Sequence, residues 1–469
     1  MSTKITIDPI TRISGFLSIS VEIDKNKIIN AECSGTLFRG FEKMLRGRNP
    51  LDAIYFTQRI CGICSTAHSM SSSLALEDAL NVTPSYNGKI LRDIMHGCEF
   101  LQNHIRHFYL YTLPDFVKCS NISPLYPTEE IDFRIPEDLS KKIGENYAKS
   151  FEFSKMAHDM LALLGGKAPH NHGIFVGGAT VNVDSYKIVQ LKSMLSYIKN
   201  FVSNNMLNDF NIVAQYYNDY FKNGVGYKNL MSYGVYDSYN EENLTYVKPG
   251  VLINGDFQNF MPHEISENIH YSWYDNNTNN ILPGSSPLES NLSKKQGYSF
   301  IKSPRYNGYP MEVGPLARMI LSKNYPIQIS TMDRTKARVL ESIKIANILD
   351  GLIDKLTLGS CGQKIYEIPT KAFGRGLIDT TRGCLGHWIS IVNKKIDTYD
   401  IITPTAWNLS PKDSKGGYGP IEKSLIGTYI SDEKNPIEIG RIVRSFDPCV
   451  SCATHVITNN YSSKNIQIV

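Results

Sequence analysis

The sequence predicts an α+β protein, predominantly helical, with a central bundle of long helices and small peripheral sheets. Three observations predict it. Four long segments, 88–112, 142–164, 184–222 and 335–356, read as helices. Strand-like pieces gather toward the two ends, in 3–33 and 362–403. And 469 residues, 42% hydrophobic and 20% charged, are enough chain to bury a large core.

Each element follows in order. Ile5 and Ile7 alternate with polar neighbours, and strands at 16–23 and 28–33 flank Asp24-Lys25-Asn26-Lys27, a hairpin turn. After Pro50 the chain is helical toward Cys61, and again over 71–80. In 88–112, Ile90, Leu91, Ile94, Phe100, Leu101, Ile105 and Phe108 recur at helical spacing. Segment 142–164 ends at Gly165-Gly166, a helix stop. Between about 225 and 315, Tyr, Asn, Gly and Ser dominate, and Pro262, Pro283, Pro287 and Pro304 punctuate a loop-rich insertion or small mixed domain. Segment 335–356 carries Val339, Leu340, Ile343, Leu349, Leu352 and Ile353 as a further helix. Residues 362–403 return to short strand-like pieces. The expected organisation is one multi-part region over 1–455. It has an N-terminal sheet (1–60), a helical part (61–224), the insertion (225–330) and a helix with a C-terminal motif (331–455).

Several classes are excluded. Forty-nine basic against 45 acidic residues give a net charge of +4, with no basic block suited to nucleic acid. No stretch approaches the roughly 18 uninterrupted apolar residues of a membrane span. The first ten residues lack the layout of a signal peptide. Nine cysteines, an odd number at low density, do not make a disulfide scaffold. Gly165-Gly166-Lys167 lacks the spacing of a phosphate loop.

The cysteines are informative by placement. Arg59-Ile60-Cys61-Gly62-Ile63-Cys64 is followed by His68, and Asp447-Pro448-Cys449-Val450-Ser451-Cys452 by His455. Thiolates two residues apart can bite one metal, and two such pairs supply four soft donors for zinc, iron or nickel. A chance pair, a lone redox pair or a zinc staple are the bland alternatives. Structural zinc usually occupies a compact local knuckle, whereas these pairs stand at opposite ends of the chain. That separation favours a catalytic metal.

At these residues the sequence resembles the large subunit of nickel-iron hydrogenases, most closely the respiratory, uptake-type branch. The resemblance runs through Asp8-Pro9-Ile10-Thr11-Arg12-Ile13 and Gly35-Thr36-Leu37-Phe38-Arg39-Gly40-Phe41-Glu42. It continues in Gly165-Gly166-Lys167-Ala168-Pro169-His170, Pro304-Arg305-Tyr306 and Met311-Glu312-Val313-Gly314-Pro315. It ends with Arg382-Gly383, Gly386-His387-Trp388 and Pro404-Thr405-Ala406-Trp407-Asn408. The resemblance implies a reversible oxidation of dihydrogen to protons and electrons at a nickel-iron centre whose iron carries carbon monoxide and cyanide. Cys61 and Cys449 would be terminal nickel ligands, and Cys64 and Cys452 would bridge to iron. Arg382 would lie over the diatomic ligands, with Thr381 and Thr405 beside it, and Asp447 would support Arg382. A surface salt bridge for Arg382 and a helix cap for Asp447 are the plainer readings. Glu42 and His455 would hold magnesium. His68 is either a neighbour of the cluster or an ordinary buried histidine.

The resemblance also implies partners: an iron-sulfur small subunit in a heterodimer or higher oligomer, a maturation protease with nickel-insertion factors, and a membrane cytochrome. The protease would remove 456–469 after His455; an ordinary frayed end has the same composition. Cys33, Cys98, Cys119, Cys361 and Cys384 form no iron-sulfur motif, so this chain itself should hold no such cluster. Co-export with the small subunit would place the protein at the outer side of a membrane; cytoplasmic is the alternative.

Three positions depart from the family pattern. Ser14 stands where a proton-passing glutamate is usual, Asn103 where an aspartate is, and Thr381 where a proline is. A hydroxyl relays a proton but does not store one. The competing readings are a low-turnover hydrogen sensor and the quinone-module relative in respiratory complex I. The second lacks the paired cysteines, and the sensor branch lacks the tail.

Overall fold

The apolar stripe after residue 88 winds into the helix Tyr86–Arg106, opened by Ser85, whose Oγ accepts from Gly88 N at 3.1 Å. In the computed structural model, which describes residues 2–118, 132–275, 280–285, 288–362 and 365–453, this helix is the hub. It packs on Glu137–Gly165 and on Thr331–Asp354. Both of those meet Ser185–Asn200, so four helices close a ring. Caps set the starts of the last two: Asp184 accepts from Lys187 N at 2.7 Å, and Ser330 from Asp333 N at 3.1 Å. Leu101, Ile105, Leu161, Leu195 and Leu349 fill the ring's core. Cys119, Pro287, His455, the tail 456–469 and the side chain of Cys452 lie outside the described residues.

Two of the expected long helices are not uniform. Segment 88–112 ends as a π-helical turn, His107–Thr112, and 184–222 is interrupted by another, Phe201–Met206. A π turn adds a residue to the 3.6-residue period without changing residue chemistry, so periodicity does not announce it. The two turns meet where Tyr109 packs on Phe201 at 5.5 Å between ring centroids.

Three sheets of three or four strands, and smaller strand pairs, frame the bundle among the described residues. Thr3–Ile7, Leu17–Asp24 and Lys27–Gly35 form an antiparallel meander, and Lys25 and Asn26 turn it with φ of 50° and 61°. The insertion carries strands of its own. It contains the sheet Glu312–Val313, Leu230–Ser232, Gly250–Ile253, Asp256–Asn259 and the pair Ile265–Asn268 with Ser303–Tyr306. The short pieces expected in 362–403 are in fact long: Lys371–Thr380, Gly383–Val392 and Lys395–Ile402 form one antiparallel sheet. The first of these strands escaped notice because Gly374, Arg375 and Gly376 break its alternation.

Those glycines position the site. The helix Ser65–Leu80 lies on this sheet so closely that a Cβ on Gly374 would stand 2.2 Å from the Ala75 carbonyl oxygen. One on Gly376 would stand 2.0 Å from that of Ser71. No side chain fits there. The helix is correspondingly rich in small residues, with Ser69, Ser71, Ser72, Ser73 and Ala75 all buried. Among the described residues no helix is long and apolar enough to cross a membrane.

Candidate metal centre

The seated helix begins one residue after Cys64, which occupies its N-cap position. Cys61 lies in the turn before it, its sulfur accepting from Ile63 N at 3.3 Å. The sheet beneath presents a two-residue hairpin tip, Thr381-Arg382, since Thr380 pairs with Gly383. One packing contact therefore aims both the first cysteine pair and Arg382 at the same place.

The second pair arrives from the other end of the chain. The helix Ile437–Ser445 stops, and Asp447 turns the backbone with φ of 54°. The strand-like step that follows is stitched to the N-terminal segment. Ser14 N donates to Pro448 O at 3.2 Å, and Val450 N donates to Ser14 O at 2.7 Å. Thr405 Oγ1 accepts from Cys449 N at 3.1 Å. Cys452 lies on the short helix Val450–Ala453.

The outcome is a buried cluster. The Cys61 and Cys449 sulfurs are 3.2 Å apart, and those of Cys61, Cys64 and Cys449 lie within 4.8 Å of one another. Three soft donors converging in a dry interior suit a soft or borderline metal and little else. Arg39 clamps the two motifs together. Its guanidinium donates to the carbonyls of Arg59 at 3.2 Å, Ile60, and Ser451 at 2.7 Å. Nothing in the sequence marked Arg39 for this role beyond its place in a matching stretch.

One wall of the cluster is charged. Arg382 Nε donates to Asp447 O at 2.8 Å, and its Nη2 to Asp447 Oδ1 and Asn103 Oδ1 at 2.9 Å each. Asn103 Nδ2 donates to Asp447 Oδ2 at 2.8 Å, and Arg338 Nη1 to the same oxygen at 3.3 Å. An amide at position 103 thus faces a guanidinium with its oxygen and a carboxylate with its nitrogen, which an aspartate could not do. Behind this layer Arg318 makes two 2.7 Å bonds to Glu341 and holds the Thr380 and Thr381 carbonyls, fixing the hairpin tip. Burial would raise the Asp447 carboxyl, but Arg382, His107 and Arg338 outweigh it and hold it at about 2. Burial opposes the Arg382 charge as well. Asp447 and the cysteine thiolates outweigh that and push its guanidinium up.

The other wall is neutral. His68 Nδ1 stands 3.1 Å from His387 Nε2, His387 Nδ1 2.8 Å from Tyr399 Oη, and Tyr399 donates to Ser72 Oγ at 3.1 Å. Burial lowers His68 to about 4 and His387 well below its usual value. His68 is therefore both buried and a neighbour of the cluster. Between the walls is a small cavity lined by Cys64, Cys449, His68, Thr381, Arg382 and Thr405. Two buried polar atoms at its edge, Arg382 Nη1 and Thr381 Oγ1, have no hydrogen-bond partner among the described residues. Donors left over beside a thiolate cluster suit a metal group that brings its own acceptors.

Ser14 Oγ lies 3.6 Å from Cys449 Sγ, so the serine reaches the cluster but only loosely. Glu42 stands apart from it. It accepts from Ile401 N at 3.2 Å and Lys302 Nζ at 3.4 Å, in a buried group with Glu267 and Asp400. Burial pushes Glu42 well above the usual carboxylate range and Glu267 to about 7.

Comparison with known proteins agrees with this geometry. The family model described as nickel-dependent hydrogenase matches residues 39–134, 128–328 and 324–455. The periplasmic NiFeSe hydrogenase large subunit of Desulfomicrobium baculatum is 36% identical, over 97% of this chain and 95% of its own length. The quinone-reactive Ni/Fe-hydrogenase large chain of Wolinella succinogenes is 30% identical, over 97% and 96%. The solved Ni-Fe-Se hydrogenase of Desulfovibrio vulgaris Hildenborough superposes with a TM-score of 0.93 at 34% identity. It covers 97% of this chain and 100% of that one.

Proposed function

The chain belongs to the nickel-dependent hydrogenase family, and from that premise we propose that it is the catalytic large subunit of a nickel-iron hydrogenase that passes electrons to an iron-sulfur small subunit. The observation that carries this reading is the meeting of Cys61, Cys64 and Cys449 beside an arginine whose buried Nη1 has no partner among the described residues. Cys61 and Cys449 would hold nickel, and Cys64 with Cys452 would bridge to iron. When bound, such a centre supplies the polarisation that splits dihydrogen heterolytically.

The chain's own residues do the rest. Arg382 Nη1 and the Thr381 hydroxyl offer hydrogen bonds to carbon monoxide or cyanide on iron. Asp447 and Asn103 keep the guanidinium in place. Thr405 orients Cys449 through its backbone. The Cys449 sulfur is the atom where a released proton would rest, and Ser14 Oγ, 3.6 Å away, is a hydroxyl able to relay it without storing it. Magnesium would be held by Glu42 and His455. Glu42, Glu267 and Asp400 gather around one ammonium, Lys302, and burial favours protons on Glu42 and Glu267 that a dication would displace.

Further features of the reading concern assembly. The family match stops at residue 455, which supports removal of 456–469 by a maturation protease after nickel insertion. Relatives named as periplasmic and as quinone-reactive support a place at the outer face of a membrane, where a membrane cytochrome would take the electrons. The test is metal analysis with infrared spectroscopy of the purified protein. Nickel and iron together with bands of iron-bound carbon monoxide and cyanide are expected; zinc alone, without those bands, would overturn the reading.

A further inference from the structure

A residue at a helix N-cap ordinarily turns its side chain back to the free amides of the first turn, which is why Ser, Thr, Asp and Asn are favoured there. Cys64 holds that position on a 16-residue helix and makes no capping bond with its side chain. The amides it would cap are nonetheless satisfied. Thr66 N donates to Glu99 Oε2 at 2.7 Å and Ala67 N to Glu99 Oε1 at 3.1 Å. Glu99 comes from a different element, the hub helix Tyr86–Arg106, and is buried. It lies one turn before Asn103, so both side chains leave the same face of that helix. Asn103 holds Arg382 and Asp447 on one side of the cluster, while Glu99 holds the start of the cysteine-bearing helix on the other.

We propose that Glu99 is a positioning residue of the metal centre, a cap supplied from a neighbouring helix that fixes the start of the helix carrying Cys64. The inference rests on the nickel-iron reading and adds to it a residue that acts through the backbone amides of Thr66 and Ala67. Two acceptor oxygens meet two amides, which only a carboxylate does at this length. A glutamine offers one oxygen and must aim its own N–H at the second amide. Burial pushes the Glu99 carboxyl up, while the two amides and Arg382 draw it down, and it settles at about 7. Asp209, a carboxyl raised by burial to about 7 and bonded to Tyr109 and Asn146 on the far side of the bundle, is a matched control.

The experiment compares wild type, Glu99→Gln, Glu99→Met and Asp209→Asn as full-length proteins produced with nickel. Nickel per folded chain and the sulfur shell around nickel, by X-ray absorption at the nickel edge, are measured. Glu99→Gln should hold at least threefold less nickel than wild type, with Glu99→Met lower still. What nickel remains should show a disordered sulfur shell, and Asp209→Asn should match wild type. Full nickel with an unchanged shell in both Glu99 variants would overturn the proposal, as would an equal loss in Asp209→Asn. Nickel-free wild type would overturn the reading of the centre and this inference with it.

Discussion

The two walls around Cys61, Cys64 and Cys449 handle buried polarity in opposite ways. On one side three guanidinium groups, Arg382, Arg338 and Arg318, interlock with three carboxylates, Asp447, Glu341 and Asp379. On the other, His68, His387, Tyr399 and Ser72 form a hydrogen-bonded chain that burial keeps uncharged. In a low-dielectric interior a charge without its partner is far more costly than a lost neutral hydrogen bond. The charged wall therefore fixes geometry, because Asp447 is the shared carboxylate of Arg382 and Arg338 and cannot leave without stranding both. The neutral wall encloses the cluster at lower stakes.

The largest expected effect comes from removing what both walls enclose. Cys449→Ser should lose nickel and leave hydrogen turnover below detection, since a hydroxyl is a hard, poor ligand for soft metals. A serine variant with wild-type nickel content would break the shared-cluster picture.

Asp447→Asn attacks the charged wall directly. It strands Arg382 and Arg338, and about 3–5 kcal/mol of stability should go, read as a lower denaturant midpoint at pH 7. The pH response carries a sign. The Asp447 carboxyl is held at about 2 in the fold, below the ~3.9 of an unfolded chain. Its contribution is full above about pH 4 and fades as pH falls through 2. Wild type should lose stability over that acid range more steeply than Asp447→Asn.

Arg382→Lys keeps the charge but not the planar fork that binds Asp447 and Asn103 at once. Turnover should fall about tenfold, equal to about 1.4 kcal/mol in the barrier, in protein that still holds nickel. Unchanged kcat would make Arg382 a structural residue only.

Tyr399→Phe is the matched probe of the neutral wall. It removes the hydroxyl between His387 and Ser72 and should cost about 1 kcal/mol in unfolding measurements, with turnover within about twofold of wild type. A loss as large as that of Asp447→Asn would erase the contrast between the walls.

Much of this was legible in the sequence, for reasons that also define what was not. The long helices show because their apolar residues repeat locally, and the Lys25-Asn26 turn because a polar stretch interrupts two strand patterns and Asn26 readily takes positive φ. The strand Lys371–Thr380 was hidden because Gly374 and Gly376 are selected by the helix above them, not by strand propensity. The cysteines show by spacing alone. Arg39, Glu99 and the bridging role of Asn103 do not, because their partners lie far along the chain: Asn103 and Asp447 are 344 positions apart. A lone glutamate on a helix carries no local mark of the amides it will meet.

The stitching of Ser14 to Cys449 spans 435 positions, and the Cys61–Cys449 approach spans 388. A metal held by those two sulfurs would close the polypeptide into a near-complete ring. By the chain-entropy account of cross-links, a ring of that size withdraws about 6 kcal/mol of freedom from the unfolded chain. The reaction centre would then double as a topological latch. Melting of the loaded protein would have to wait for the latch to open, while metal-free chains would come apart from their two ends.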